Sequence, residues 1–213
     1  MGNEKKIGVI YGPVPSGELL RDNLSNKQEI ASYKDVWRGR ILGEETILVS
    51  LPQCVVELEE VLRLLISEGV DKIIFLGTAP VCMASAEEST GRPVEFMISN
   101  EVVFAVQGDL VTVPADKKLV DLGLAAAENI AETWNIRLLA GKLISPDIPF
   151  SVAEGPYCTD REAITVHESC RRNNLSFVTV IINQEFIPEE NQTSTKGFLL
   201  IKGMFEGIRD LQQ

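Results

Sequence analysis

The sequence predicts an α/β protein, a three-layer αβα arrangement around a mixed, mostly parallel central sheet. Three observations carry this prediction. Short runs of β-branched, aliphatic and aromatic residues, such as Lys72-Ile-Ile-Phe-Leu-Gly77 and Ser176-Phe-Val-Thr-Val-Ile-Ile182, read as buried strands. Each follows a helical segment, and the order helix, short turn, buried strand is that of a parallel βαβ unit. The chain has 213 residues, 45% hydrophobic and 24% charged, with no internal repeat and no low-complexity linker, so a single domain spanning residues 1–213 is expected.

The elements follow in order. Ile7-Gly-Val-Ile-Tyr11 is an apolar run closed by Gly12-Pro13, a first strand entering a loop, and Gly17 to Asn26 reads as a short helix. Asp35 to Gly43 and Glu45 to Ser50 suggest two paired strands joined at Gly43-Glu44. From Val55 to Glu68, apolar residues at Val55, Leu58, Val61, Leu62, Leu65 and Ile66 mark one face of a helix that stops at Gly69. The strand at Lys72–Gly77 then leads to Thr78. Residues 84–114 are less regular, with strand-like pieces at Glu95–Ser99 and Val102–Val106 and a turn at Gly108-Asp109, where Asp109 reads as structural. Beyond them come a helix from Lys118 to Trp134, a strand from Arg137 to Ile144, a helix from Arg161 to Asn173, the strand Ser176–Ile182, and a last helix from Ser194 to Leu211.

Composition narrows the function classes. A formal charge of −11, from 20 basic against 31 acidic residues, disfavours nucleic acid or an anionic membrane as a partner, because both require clustered Lys and Arg. A small neutral or polar ligand fits better. Cys54, Cys82, Cys158 and Cys170 form no C-x-x-C pair and His167 is the only histidine, so no metal site and no cofactor is expected and the thiols read as reduced. The apolar stretch after Met1-Gly-Asn-Glu-Lys-Lys6 is too short for a signal peptide or a membrane span, and Lys6 stands where N-myristoylation requires serine or threonine, which leads to a cytoplasmic expectation.

The stretch Ser176-Phe-Val-Thr-Val-Ile-Ile-Asn-Gln-Glu185 ends a buried strand on two amides and a carboxylate rather than on a hairpin turn. In a parallel sheet the C-terminal strand ends share one edge, so Thr78, Asp147 in Ser145-Pro-Asp147 and Glu185 in Asn183-Gln-Glu185 are expected to face a common cleft. Taken singly, Thr78 and Asp147 are more ordinarily turn or cap residues. Within the helix Arg161–Asn173, His167 reads as a packed or surface residue rather than a catalyst, and Cys170 reads as packing.

The segment from Glu162 to Glu185 resembles the C-terminal core of the nucleoside phosphorylase and nucleosidase superfamily, in which a helix opens on a glutamate and the next strand ends in Ser-Asp. Other segments extend the resemblance, nearest to the methylthioadenosine/adenosylhomocysteine nucleosidases: Lys6-Ile-Gly-Val-Ile10, Trp37-Arg-Gly-Arg-Ile-Leu-Gly43, Gly69 to Thr78, and Gly141-Lys-Leu-Ile-Ser-Pro-Asp-Ile-Pro-Phe150. The resemblance implies a nucleoside phosphorylase-like fold and cleavage of the N-glycosidic bond of a purine nucleoside. It implies Glu185 as the acid that protonates the departing base, Thr78 near the sugar or its attacking group, Glu162 on the ribose hydroxyls, and Phe150, Asp147 and Asn183 among the substrate-binding residues. It also implies a homo-oligomer, for which the stripe from Val55 to Ile66 offers apolar material.

Departures from the pattern shape the expectation further. Phosphorylases of this superfamily carry an arginine where Phe75 stands, and their Gly-Asp-Pro loop is replaced by Gly12-Pro-Val-Pro-Ser16, so phosphate loses its charge-assisted bonds and hydrolysis is favoured over phosphorolysis. Arg21, Arg38 and Arg40 are the candidates for rebuilding a phosphate site. Nucleosidases place a water-positioning glutamate where Ser16 stands, with Glu18 two residues on, and their glycine-rich loops are here Ser50-Leu-Pro-Gln-Cys54 and Gly77-Thr-Ala-Pro-Val81. A non-catalytic, nucleoside-sensing protein of the same fold is therefore the alternative.

Overall fold

The computed structural model describes residues 6–30, 35–52, 54–82, 94–106, 108–134, 137–148, 155–185 and 190–211. Strand β1 (Lys6–Tyr11) lies between β4 (Glu44–Ser50) and β5 (Val70–Ala79), parallel to both. The parallel set continues through β10 (Ser176–Asn183), whose register sets Ile182 beside Thr78 and Asn183 beside Ala79. On one flank, β2 (Ser25–Glu29) and β3 (Val36–Ile41) extend the sheet antiparallel from β4. On the other, β6 (Phe96–Val106) runs antiparallel to β10 and carries β7 (Asp109–Pro114) and β8 (Leu138–Ile144), with the two-residue β9 (Tyr157–Cys158) outermost.

Five helices cover the two faces among the described residues: α1 (Pro15–Asp22), α2 (Val55–Ser67), α3 (Lys117–Trp134), α4 (Arg161–Arg172) and α5 (Glu190–Asp210). On one face Leu20, Leu119, Leu200 and Met204 from α1, α3 and α5 pack on Leu48, Ile74 and Val178. On the other, Leu58, Leu62 and Leu65 of α2 and Val166 and Cys170 of α4 pack on Ile73, Phe75 and Phe177. These two apolar layers make the expected three-layer α/β architecture, because each helix buries its stripe against a sheet whose strands are apolar on both sides.

Several expectations are corrected. The short helix begins at Pro15 and ends at Asp22, because proline fits the first turn, and the residues after it form β2, which is exposed along its length. The two strand-like pieces around residue 100 are one strand, β6, with a register shift against β8 between Ser99 and Glu101. Strand β8 runs opposite to β5 and β10, since it is parallel to β6 and β6 is antiparallel to β10. Asp147 therefore does not share an edge with Thr78 and Asn183 by common strand direction; periodicity reports burial and says nothing about direction. The stripe on α2 is used within the chain: Leu58, Val61, Leu62 and Leu65 are buried in its own core, while Val56 remains 68% exposed.

Candidate functional site

The ends of β5 and β10 meet the start of α4 at one edge of the sheet. Gly77 is the point of closest approach: a Cβ built there would lie 2.6 Å from the Phe75 ring and 3.1 Å from Oδ2 of Asp160. Any larger residue would push both away, so glycine is what lets this carboxylate settle over the strand end. Asp160 is the N-cap of α4, its Oδ1 accepting the Ala163 N–H at 2.9 Å. Its carboxyl is pushed up to about 6: burial, the largest cause, and the neighbouring charge of Glu162 raise it, while the backbone N–H groups of Ala163 and Glu162 hold it partly down. Asp160 at the N-cap and Glu162 in the first turn thus place two carboxyl groups at the start of α4.

Across the edge, β10 leaves the sheet through Asn183, which is 3% exposed. Its side-chain carbonyl accepts the Val81 N–H at 3.3 Å and the Glu185 N–H at 3.4 Å, and its amide donates to the Val94 carbonyl at 2.8 Å. One side chain therefore ties together the exit of β5, the approach to β6 and the turn that carries Glu185. The amide groups expected to meet a ligand are engaged with backbone, so Asn183 shapes the edge from behind. Glu185 is exposed beyond it, and Thr78 is half-buried next to Ile182. Glu162 is half-buried in the first turn of α4.

Asp147 arrives from the oppositely running β8 and meets α4 through Arg161, 3.5 Å away, with 76% of its side chain exposed. Phe150 lies outside the described residues. Ser16, where nucleosidases are expected to carry a carboxylate, is fully buried and donates its hydroxyl to the Ser194 carbonyl at 2.9 Å, fastening α1 to α5. Glu18 is exposed on α1. Phe75 is fully buried beneath α2 and α4, so its position offers an apolar ring and no cation. The arginines proposed as replacements are paired elsewhere: Arg38 with Glu68 and Arg40 with Glu45, beside the starts of β5 and β4, and Arg21 with Asp22.

Three charged residues at this edge escape the sequence pattern. Asp160 had a usable signal, an aspartate directly before a helical stripe with glutamate two positions on. Glu95 and Lys196 had none. They are 101 residues apart in sequence, yet they form a buried ion pair where β6 begins beside Asn183. Among the described residues no group of His, Cys, Asp or Glu could hold a metal ion, and no helix is long and apolar enough to cross a membrane.

No protein-family model matches this chain, and no curated protein sequence matches it. Solved structures do. A 5′-methylthioadenosine/S-adenosylhomocysteine nucleosidase from Colwellia psychrerythraea 34H, in complex with adenine, superposes with a TM-score of 0.73 at 16% identity, over 96% of each chain. The nucleosidase of the same description from Neisseria meningitidis, in complex with methylthio-immucillin-A, gives 0.72 at 15% identity over 95% of this chain and 99% of that one. A futalosine hydrolase mutant of Helicobacter pylori gives 0.66 at 14% identity, over 95% and 99%. The chain thus shares the mixed-sheet α/β fold of these nucleosidases and of the hydrolase.

Proposed function

We propose that this protein cleaves the N-glycosidic bond of a purine nucleoside by hydrolysis. The observation that carries the reading is the Asp160 carboxyl seated over Gly77 near the end of β5, with Glu162 beside it in the first turn of α4 and Glu185 just past the end of the neighbouring β10. Glycosidic cleavage of this kind passes through an oxocarbenium-like sugar as the base departs. A negative group beside the sugar stabilises that cation, and a carboxylic acid beside the base removes charge from the leaving group. In this reading Glu162 accepts hydrogen bonds from the ribose hydroxyls and Glu185 protonates the base. Thr78 lines the sugar side.

Water is the acceptor in this reading, since Phe75 is apolar and Arg38 and Arg40 are held at the starts of other strands. The test is base release from nucleosides by the wild type and Glu185→Gln. A lost general acid lowers the rate by roughly 10²–10⁴-fold while leaving nucleoside binding within a few-fold. Equal rates would remove Glu185 from the chemistry. A second reading, a nucleoside-binding protein without turnover, is favoured by one observation: Ser16 is buried and bonded to Ser194, which leaves the first loop without a water-positioning carboxylate. Thermal stabilisation by nucleosides with no base release would select that reading.

A further inference from the structure

A cavity of about 350 Å³ lies at the other end of α4 and β10 from Glu162 and Glu185, and the nucleoside reading makes no use of it. It opens between the last turn of α4, the start of β10 and the chain that leaves β7 for α3. The Asp116 N–H donates to the Phe177 carbonyl at 3.0 Å, which seats the start of α3 beside the start of β10. Arg171, which lines this cavity, follows Glu162 along α4 by roughly 14 Å of helix. The volume falls at the small end of the range in which proteins hold small molecules, about 300–1,000 Å³.

Two opposite charges line the cavity and form no ion pair with each other. Oδ1 of Asp116 accepts the Lys118 and Leu119 N–H groups at 2.9 and 3.1 Å, capping α3, while Oδ2 has no partner among the described residues. The Arg171 guanidinium also has none among them, although the other two arginines of α4 are paired, Arg161 with Asp147 and Arg172 with Glu168. In a chain of 31 acidic and 20 basic residues, an arginine at a cavity with no acid against it is out of keeping. A guanidinium matches a carboxylate with two parallel bonds, and a carboxylate oxygen accepts from an ammonium. The same cavity is apolar at Val113, Leu175 and Phe177. We propose that it is a second ligand site, which takes a free α-amino acid with an apolar side chain: carboxylate on Arg171, ammonium on Asp116, side chain against Val113, Leu175 and Phe177. Such a ligand meets both unpaired groups at once, whereas a simple anion or cation meets one and leaves the other.

His167 makes the test direct. It is the only histidine, it lines the cavity, and its ring stands edge-on to Phe177 with centroids 5.1 Å apart, so its ring-carbon NMR signals report occupancy. The intact chain at fixed pH and ionic strength is titrated with leucine, methionine and phenylalanine. Each is compared with the same molecule lacking the amino group and with the same molecule lacking the carboxylate; for leucine these are 4-methylpentanoate and 3-methylbutylamine. At least one amino acid shifts the His167 signals to saturation. Its two analogues bind about ten-fold or more weakly, the loss expected for one hydrogen bond to a charged group.

Arg171→Gln removes an exposed charge that holds nothing else in place, so the variant folds as the wild type does, which its melting temperature checks. It binds the amino acid about ten-fold more weakly and no longer prefers it to the amine analogue. Asp116→Asn keeps an oxygen to cap α3 and removes the preference over the carboxylate analogue in the same way. If Asp116→Asn does not fold, Arg171→Gln and the wild-type analogue series decide the matter alone. Three results overturn the assignment: no saturable shift of His167 with any of the three amino acids, equal affinity for an amino acid and its analogues, or undiminished affinity in folded Arg171→Gln. None of these measurements involves base release, so the outcome stands apart from that of the nucleoside reading.

Discussion

Mildly acidic pH should weaken the fold through a single side chain, His167. Its ring is 4% exposed, stands edge-on to Phe177 with centroids 5.1 Å apart, and has no hydrogen-bond partner at either nitrogen. Burial, the largest cause, and the charge of Arg171 one turn along α4 lower its pKa from 6.5 to about 4. The folded value lies below the unfolded one, so the unfolded chain takes up a proton first and stability is lost as pH falls from about 6.5 toward 4. At 1.36 kcal/mol per pKa unit, the loss between pH 7 and pH 4.5 comes to about 2.5 kcal/mol, a large part of a typical domain's stability. Urea denaturation of the wild type and His167→Leu at both pH values isolates this contribution, since the acidic residues titrate alike in the two proteins. The wild type should lose about 2.5 kcal/mol more than the variant. Because His167 is the only histidine, its ring carbons give an unambiguous NMR titration. Equal pH dependence in the two proteins, or a ring that titrates near 6.5, would refute the reasoning.

Other outcomes follow from the same structure. Asp160→Asn keeps a good N-cap for α4 but removes the carboxyl held near 6, so melting temperature at pH 5 should change little while any base-release rate loses its pH dependence around 6; an unchanged pH profile would separate Asp160 from the chemistry. Thr179→Val exchanges a fully buried hydroxyl without a hydrogen-bond partner for a methyl of similar size, and chemical denaturation should show the variant at least as stable as the wild type, by up to about 1 kcal/mol; a clear loss would reveal a hidden partner for the hydroxyl. Base release measured with and without millimolar phosphate should give the same rate, and a strict phosphate requirement would mean that an arginine has rebuilt the site left apolar by Phe75.

The fold was legible where local signals agree with burial. Buried strands at Lys72–Gly77 and Ser176–Ile182, and the helix ending before Gly69, appear where their patterns place them, because a strand covered on both faces must be apolar throughout and a helix covered on one face must repeat its apolar residues every three or four positions. Strand direction was not legible. Nothing in the sequence Leu138–Ile144 distinguishes a strand parallel to β10 from one parallel to β6, since both bury the same side chains. The exposed strand β2 was invisible for the opposite reason: Ser25-Asn-Lys-Gln-Glu29 buries nothing, and its pairing with β3 leaves no hydrophobic trace.

The candidate site divides along the same line. Glu162, Thr78 and Glu185 could be singled out because each stands next to a recognisable local boundary, a helix start or a strand end. Asp160 also stands at such a boundary, but what sets it apart is tertiary: its environment comes from Gly77, in a strand that the sequence leaves more than eighty residues earlier, and no local pattern encodes that approach. Asn183 illustrates the reverse case. Its polarity at the end of a core strand suggested a ligand contact, whereas in the fold the same amide meets the backbone of Val81, Glu185 and Val94. A polar residue at a strand end must satisfy its hydrogen bonds whether or not a ligand is present. Polarity alone therefore selects the edge of the sheet, and the partners of each group select its role.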